Sequence, residues 1–247
     1  STLLASSAAS DVYKRQALTQ GNYIKRIPAN TYKSQGRGGK GIMGMTTKEE
    51  DVVEHLVLTH NHDFILFFTN KGRVFRQKVY EIPAASRTAK GQAIVNLLQL
   101  GPDEKVTSIN TFDSKATAKY LFMATKMGTV KKTPLADYAN VRTSGLIAIK
   151  LDAGDELRWV KQTTGSDEIV MSTALAQAIR FKESDVRPMG RATRGVRGVR
   201  LRSGDTVVGM DVVNADTILL VVMENGYGKR TKVNQFATHA RGGVGIK

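Results

Sequence analysis

Apolar and polar residues along the chain fall into short blocks rather than helical stripes. Phe64-Ile65-Leu66-Phe67-Phe68, Tyr120-Leu121-Phe122-Met123 and Ile218-Leu219-Leu220-Val221-Val222 are continuous apolar runs, closed or flanked by turn signals such as Asn70-Lys71-Gly72 and Asn225-Gly226. Runs of this length, rich in β-branched and aromatic residues, predict strands buried on both faces. Each is followed by a turn and a basic strand, as in Gly72 to Lys78. Next come a hydroxyl, basic or glycine cluster (Ser86 to Gly91, Arg142 to Gly145), an aliphatic strand (Ile94 to Leu98, Leu146 to Leu151) and an acidic turn (Asp103-Glu104, Asp155-Glu156, Gly204-Asp205). No helix longer than a turn or two is needed.

This order recurs. Gly21 to Arg26 lies over Gly72 to Arg76, then over Gly128 to Lys132, Ala176 to Arg180 and Gly226 to Arg230, at intervals of 51, 56, 48 and 50 residues. A period near fifty is blade-sized, and four strands per unit predict an all-β, propeller-like array of four-stranded blades. Complete blades are expected at about 21–71, 72–127, 128–175 and 176–225, with the start of a fifth at 226–247 and the ring incomplete. Ser1 to about Gln16 is set aside as a disordered sequencing scar, because Asp11 to Gln16 reads like translated adapter, leaving 17–247 as the domain. A WD40 propeller does not fit, since its period is shorter and Trp159 is the only tryptophan. Kelch repeats would need more aromatic residues than the 6% present.

Composition narrows the partner. The 247 residues include no cysteine, which excludes disulfides, thiolate metal sites and cysteine nucleophiles and fits a reducing cytoplasm. With 41% apolar residues and no long apolar run, no membrane span is expected. Net charge is +15, from 37 Lys and Arg against 22 Asp and Glu, so a polyanion is the expected partner. That charge is sorted: the first halves of the five units hold 27 of the 37 cations and four of the 22 acids, namely Glu81, Asp137, Glu183 and Asp185. The fourth unit shows the sorting best, with Arg187, Arg191, Arg194, Arg197, Arg200 and Arg202 and no acid from Val186 to Gly204. Lined up along the outer rim of a circular array, the recurring cations would track a nucleic-acid backbone. The rim candidates are Lys25, Arg26, Arg73, Arg76, Lys78, Arg87, Lys90, Lys131, Lys132, Arg142, Arg180, Arg187, Arg191, Arg194, Arg197, Lys229, Arg230, Lys232 and Arg241. Few aromatic residues lie among them, which disfavours single-strand stacking and favours duplex DNA.

One stretch stands apart. Gln35-Gly36-Arg37-Gly38-Gly39-Lys40-Gly41 sets two cations among four glycines, a loop whose bare N–H groups and positive charge suit a phosphate chain. It fits neither a P-loop, since Gly41 follows Lys40, nor a dinucleotide fingerprint, which requires a helix next. His60-x-His62-Asp63 reads as a tight turn rather than a metal site, and no metal or cofactor is expected. A propeller-fold enzyme would need converging His, Asp or Glu residues, whereas the acids here sit in turns. A protein-binding scaffold fits +15 poorly.

The repeat, with Tyr23 to Arg26, Gly72 to Val74, Gly128 to Thr133, Arg194 to Val199 and Asn225 to Thr231, closely resembles the C-terminal domain of the DNA gyrase A subunit from about Ala17 to Lys247. The family's gyrase box, Gln-Arg-Arg-Gly-Gly-Lys-Gly, maps onto Gln35 to Gly41 and departs at Gly36, where one arginine is lost. The resemblance implies a six-bladed β-pinwheel that wraps duplex DNA as a positive crossover and so serves ATP-dependent negative supercoiling. It implies as partners the rest of the gyrase A chain and the gyrase B chain in an A2B2 holoenzyme, on cytoplasmic, nucleoid DNA. It implies no catalysis by this segment: the breakage tyrosine lies elsewhere in gyrase A, and ATP and Mg are bound outside this stretch. The alternative is the counterpart domain of topoisomerase IV, whose box is absent or degraded and which bends DNA less.

Overall fold

The computed structural model describes residues 14–19, 21–28, 53–60, 63–86, 89–112, 117–214, 216–222 and 228–246. The strands are β1 (Lys14–Thr19), β2 (Tyr23–Pro28), β3 (Val53–Thr59), β4 (Phe64–Thr69), β5 (Arg73–Lys78) and β6 (Gln92–Ala93). They continue with β7 (Val106–Phe112), β8 (Tyr120–Thr125), β9 (Thr129–Pro134), β10 (Leu146–Ile147), β11 (Leu157–Thr163) and β12 (Glu168–Thr173). The last are β13 (Ala178–Lys182), β14 (Val196–Arg197), β15 (Val207–Val213), β16 (Ile218–Val222) and β17 (Gly228–Lys232). The chain is all-β, with single-turn 3-10 segments as its helical content among the described residues.

Each repeat opens on a hairpin: β1–β2, β4–β5, β8–β9, β12–β13 and β16–β17 are antiparallel pairs. Four of the turns share one lock. Thr19, Thr69, Thr125 and Thr173 end their strands buried, and their hydroxyl oxygens accept the N–H of Tyr23, Arg73, Thr129 and Gln177 at 3.1–3.3 Å. The residue before each of those donors has positive φ: Asn22 (59°), Gly72 (75°), Gly128 (89°) and Ala176 (62°). Asn22 rather than Gly21 is therefore the counterpart of Gly72. The first interval becomes 50 residues, because the turn geometry and not the glycine defines the repeat.

The sheets run β3-β1-β2-β6, β10-β5-β4-β7, β11-β8-β9-β14 and β13-β12-β15, with β16-β17 as a two-stranded piece. Three strands of each blade come from one repeat, and a two-residue strand arrives from the next. In the fourth blade that place is taken by a bridge from Ile246 to Ala178. Three expectations are corrected by this pairing. The units drawn at 21–71, 72–127, 128–175 and 176–225 cut through hairpins; the sheets divide instead in the connections after Thr59, Phe112, Thr163 and Val213. The stretch 226–247 does not belong wholly to a fifth blade, since Thr238 and Ile246 bridge to Arg180 and Ala178 of β13. Lys14 to Gln16, expected to be disordered, are part of β1, paired with Pro28, Ile27 and Arg26 on one side and Thr59, Leu58 and Val57 on the other. The aliphatic strand expected at Ile94 to Leu98 is largely a 3-10 turn at Ile94–Asn96 that buries Ile94 and Leu98 and exposes Val95.

The packing divides into two compact units, the first drawn from 1–69, 73–116 and 141–146, the second from 70–72, 117–140 and 147–247. The first has a core of Leu18, Ile24, Ile65, Phe67, Phe75 and Ile94. The second centres on Phe122, Val130, Ile169, Phe181, Val199 and Met210, with the Phe122 and Phe181 rings 6.3 Å apart. A smaller cluster of Val170, Val213 and Val233 receives Leu219 of β16. Each such side chain contributes roughly 1.5–3 kcal/mol on burial, so the apolar runs hold each unit and leave the loops to other tasks.

Candidate nucleic-acid interface

The structure divides the rim candidates into three groups. Lys25, Lys131 and Lys132 lie inside the blades, with 0, 0 and 4% of their surface exposed. A buried ammonium must find acceptors. Lys25 Nζ donates to the carbonyls of Ser86 (3.1 Å) and Ala89 (2.8 Å). Lys131 Nζ donates to those of Ala148 (2.6 Å), Arg191 and Thr193 (3.4 Å). Lys132 Nζ donates to the Glu183 carbonyl at 3.2 Å and lies 3.9 Å from its carboxylate, over the Tyr120 ring. Burial lowers the Lys131 ammonium to about 7, aided by the Arg191 charge and opposed by Asp137. These three are corrected from DNA contacts to internal ties.

A second group is half-buried and engaged. Arg180 pairs with Glu168 and donates to the carbonyls of Val233 (3.1 Å) and Phe236 (3.0 Å). Arg73 bonds Glu104 (2.9 Å) and the Ser144 carbonyl (2.7 Å), above the Phe75 ring. Arg76 covers the Phe64 ring, Lys90 the Tyr23 ring at 4.0 Å, and exposed Lys78 reaches over Tyr80. Arg191 donates to the Asp137 carbonyl at 3.0 Å, and Arg241 to those of Asp185 (2.9 Å) and Arg197 (3.1 Å). Arg26 is half-buried on β2, where its backbone is bracketed by Pro83 and Ala85.

The third group faces solvent: Arg142, Arg187, Arg194, Arg197, Lys229, Arg230 and Lys232. Arg200 and Arg202 of the acid-free run are exposed as well, and so are Lys150 and Lys182, which are not among the rim candidates. The densest set lies on one loop. β14 pairs with β9 through Val196↔Val130 and Arg197↔Thr129, which lays the loop flat on the blade. Gly195 makes that approach possible: at φ 95° a Cβ there would sit 2.4 Å from the Val130 carbonyl oxygen. Arg194 forms an exposed pair with Asp152 at 2.7 Å, a contact worth about 0–1 kcal/mol and readily exchanged for a phosphate. Arg194, Arg197 and Arg200 thus border one open groove with Thr129, Asp152 and Asp155.

The acidic turns serve as latches. Asp155 accepts the N–H groups of Met127 and Glu156, and Asp205 those of Leu175 and Thr206, all at 2.8–2.9 Å. Burial alone would raise the Asp205 carboxyl. The Thr173 hydroxyl, the two amides and the Arg202 charge outweigh it and hold the carboxyl below its usual range. Glu104 accepts from Thr69 (2.7 Å), Gly101 and Arg73. His60 and Asp63 form a reciprocal turn, and no group of three or more metal-ligating side chains is present among the described residues. Gln35, Gly36, Arg37, Gly38, Gly39, Lys40, Gly41 and Arg87 lie outside the described residues.

Antiparallel blades of about fifty residues, each completed from the next repeat, define a β-propeller-type protein of the pinwheel arrangement. The family model for the DNA gyrase C-terminal domain, a beta-propeller, matches residues 17–60, 63–113, 119–164, 167–214 and 218–247, and the chain belongs to that family. Those segments break where the sheets do. The chain is 49% identical over 233 residues to the A subunit of DNA gyrase from Staphylococcus epidermidis (strain ATCC 12228 / FDA PCI 1200), covering 93% of this chain and 26% of the relative. It is 48% identical, over the same shares, to the A subunit of DNA gyrase from Staphylococcus aureus (strain NCTC 8325 / PS 47). The chain thus spans about a quarter of the length of these curated relatives. Among solved structures, the C-terminal domain of DNA topoisomerase IV superposes with a TM-score of 0.79 at 28% identity, covering 96% of this chain and 72% of the other. A DNA gyrase A C-terminal domain gives 0.76 at 29% identity, covering 95% and 76%. No helix among the described residues is long and apolar enough to cross a membrane.

Proposed function

We propose that the chain binds duplex DNA and wraps it on its exposed arginines and lysines, as the C-terminal domain of the A subunit of a DNA gyrase. The observation that carries this reading is the acid-free arginine loop of residues 187–202, held flat on β9 with Arg187, Arg194, Arg197, Arg200 and Arg202 exposed. Phosphate contacts of this kind supply affinity without reading sequence. In the assembled enzyme the wrap presents a crossover to a cleavage site in the remainder of gyrase A. The gyrase B chain supplies ATP and Mg chemistry, and the enzyme acts on nucleoid DNA in the cytoplasm. This segment contributes binding and bending and no bond-breaking step. The 48–49% identity to gyrase A relatives favours this reading over the topoisomerase IV counterpart, whose solved domain superposes as well.

The test is topological. The chain is bound to relaxed circular plasmid, a nicking-closing topoisomerase is added, and the linking number is read after removing protein. A positive shift supports a gyrase-type wrap. Binding without a shift supports the topoisomerase IV counterpart, and failure to retain the plasmid refutes both.

A further inference from the structure

Lys25 and Lys131 occupy one repeat position, three residues after the positive-φ residues Asn22 and Gly128. Both are fully buried, and both direct their ammonium at carbonyls of the loop that the next repeat lays over them. The same position in blades two and four is Phe75 and Ile179, also buried, so a blade forms without a lysine there. The loops differ in step. Over the lysines, the residue before the positive-φ glycine is a cation, Lys90 before Gly91 and Arg194 before Gly195; over Phe75 and Ile179 it is Ser144 before Gly145 and Val244 before Gly245. A buried ammonium therefore goes with a cation directly before the glycine, and an apolar peg with an uncharged residue there.

We propose that Lys131, with Lys25 as its counterpart in blade one, is a positioning residue that gathers the carbonyls of Ala148, Arg191 and Thr193 and so fixes Arg194 and Arg197 to face the DNA. The inference rests on the DNA-binding reading above. An ammonium suits the task because it has three donors and no acceptor, so it draws in carbonyls from two separate segments at once. No aliphatic side chain can do this. The charged groups that face it are Arg191, which opposes its charge, and Asp137, which supports it. Gly195 completes the arrangement, since a Cβ there would lie 3.1 Å from the Lys131 Cβ.

The experiment measures binding of the 247-residue chain to a short duplex across a salt series, for wild type, Lys131→Met, Arg194→Ala/Arg197→Ala and the triple variant. Each lost phosphate contact reduces the log–log salt slope by ~0.9. Lys131→Met is expected to lose about 1.8 in slope although it removes a single charge that DNA cannot reach, and to add nothing in the double-arginine background. An unchanged slope with a lowered melting temperature would make the lysine merely structural. A further loss of about 0.9 on top of the double variant would make it a phosphate contact, and either result overturns the proposal. Lys131→Ile, copying blade four, serves if the methionine variant fails to fold. Should wild type not bind duplex, the proposed function falls by itself. Amide exchange over Thr193–Arg197 then decides: faster exchange in Lys131→Met upholds the positioning role, and equal exchange ends it.

Discussion

Lys132 and Glu183 show what the charge sorting conceals. Their ammonium and carboxylate lie 3.9 Å apart with 4 and 0% of their side chains exposed, and Glu183 also receives the Thr163 hydroxyl and the N–H groups of Gly165 and Asp167. Removing one partner strands the other, so Glu183→Ala is expected to cost about 3–5 kcal/mol in urea denaturation. Arg197→Ala/Arg200→Ala, by contrast, is expected to leave stability within about 0.5 kcal/mol and to lower the salt slope of DNA binding by ~1.8. Titration separates two further residues. Lys131 has its folded pKa at about 7, below its ordinary 10.5, so between those values the unfolded chain holds the extra proton and stability rises with pH. The stability difference between wild type and Lys131→Met, followed by denaturation from pH 7 to 10.5, is expected to shift toward wild type across that window and to stay flat below it. Asp205 behaves oppositely. Its folded pKa lies below 3.8, so its contribution is present above that pH and is lost as pH falls through the folded value. Asp205→Asn should therefore destabilise at neutral pH and lose that effect in acid.

The hairpins were legible in sequence because a β-branched or aromatic run followed by a turn admits few alternatives. The blade boundaries were not. A two-residue strand such as Val196–Arg197 has no period to read, and its pairing with β9 is fixed by Gly195 and Gly198 fitting against Val130. The inward lysines were also missed, yet a signal was present. Lys25-Arg26 and Lys131-Lys132 are adjacent on strands, where neighbours point to opposite faces, so one rim cannot claim both members. Close fit also predicts how elements respond. Gly195→Ala places a Cβ 2.4 Å from a carbonyl oxygen, whereas Gly204→Ala, at φ 75°, meets nothing within 4 Å. Thermal unfolding is expected to show the first losing at least about 3 kcal/mol and the second about 1 kcal/mol.

At the scale of the whole chain, the same half-repeat supplies two things: cations inside that bind one repeat to the next, and cations outside available to a polyanion. Net charge alone does not separate them, and burial does. The short strand that each repeat lends to the sheet before it has a further consequence for how such genes change length. Dropping one repeat cleanly would still leave every acceptor sheet with a donor, so the count of blades is free to drift. Lysine and apolar pegs alternate, however, along Lys25, Phe75, Lys131 and Ile179. Loss of the second or fourth repeat would seat a loop with an uncharged residue before its glycine over a buried ammonium, and loss of the third would seat Arg194-Gly195 over Phe75, whereas loss of two neighbouring repeats would restore the match. An even step alone keeps every peg under the kind of loop it has now.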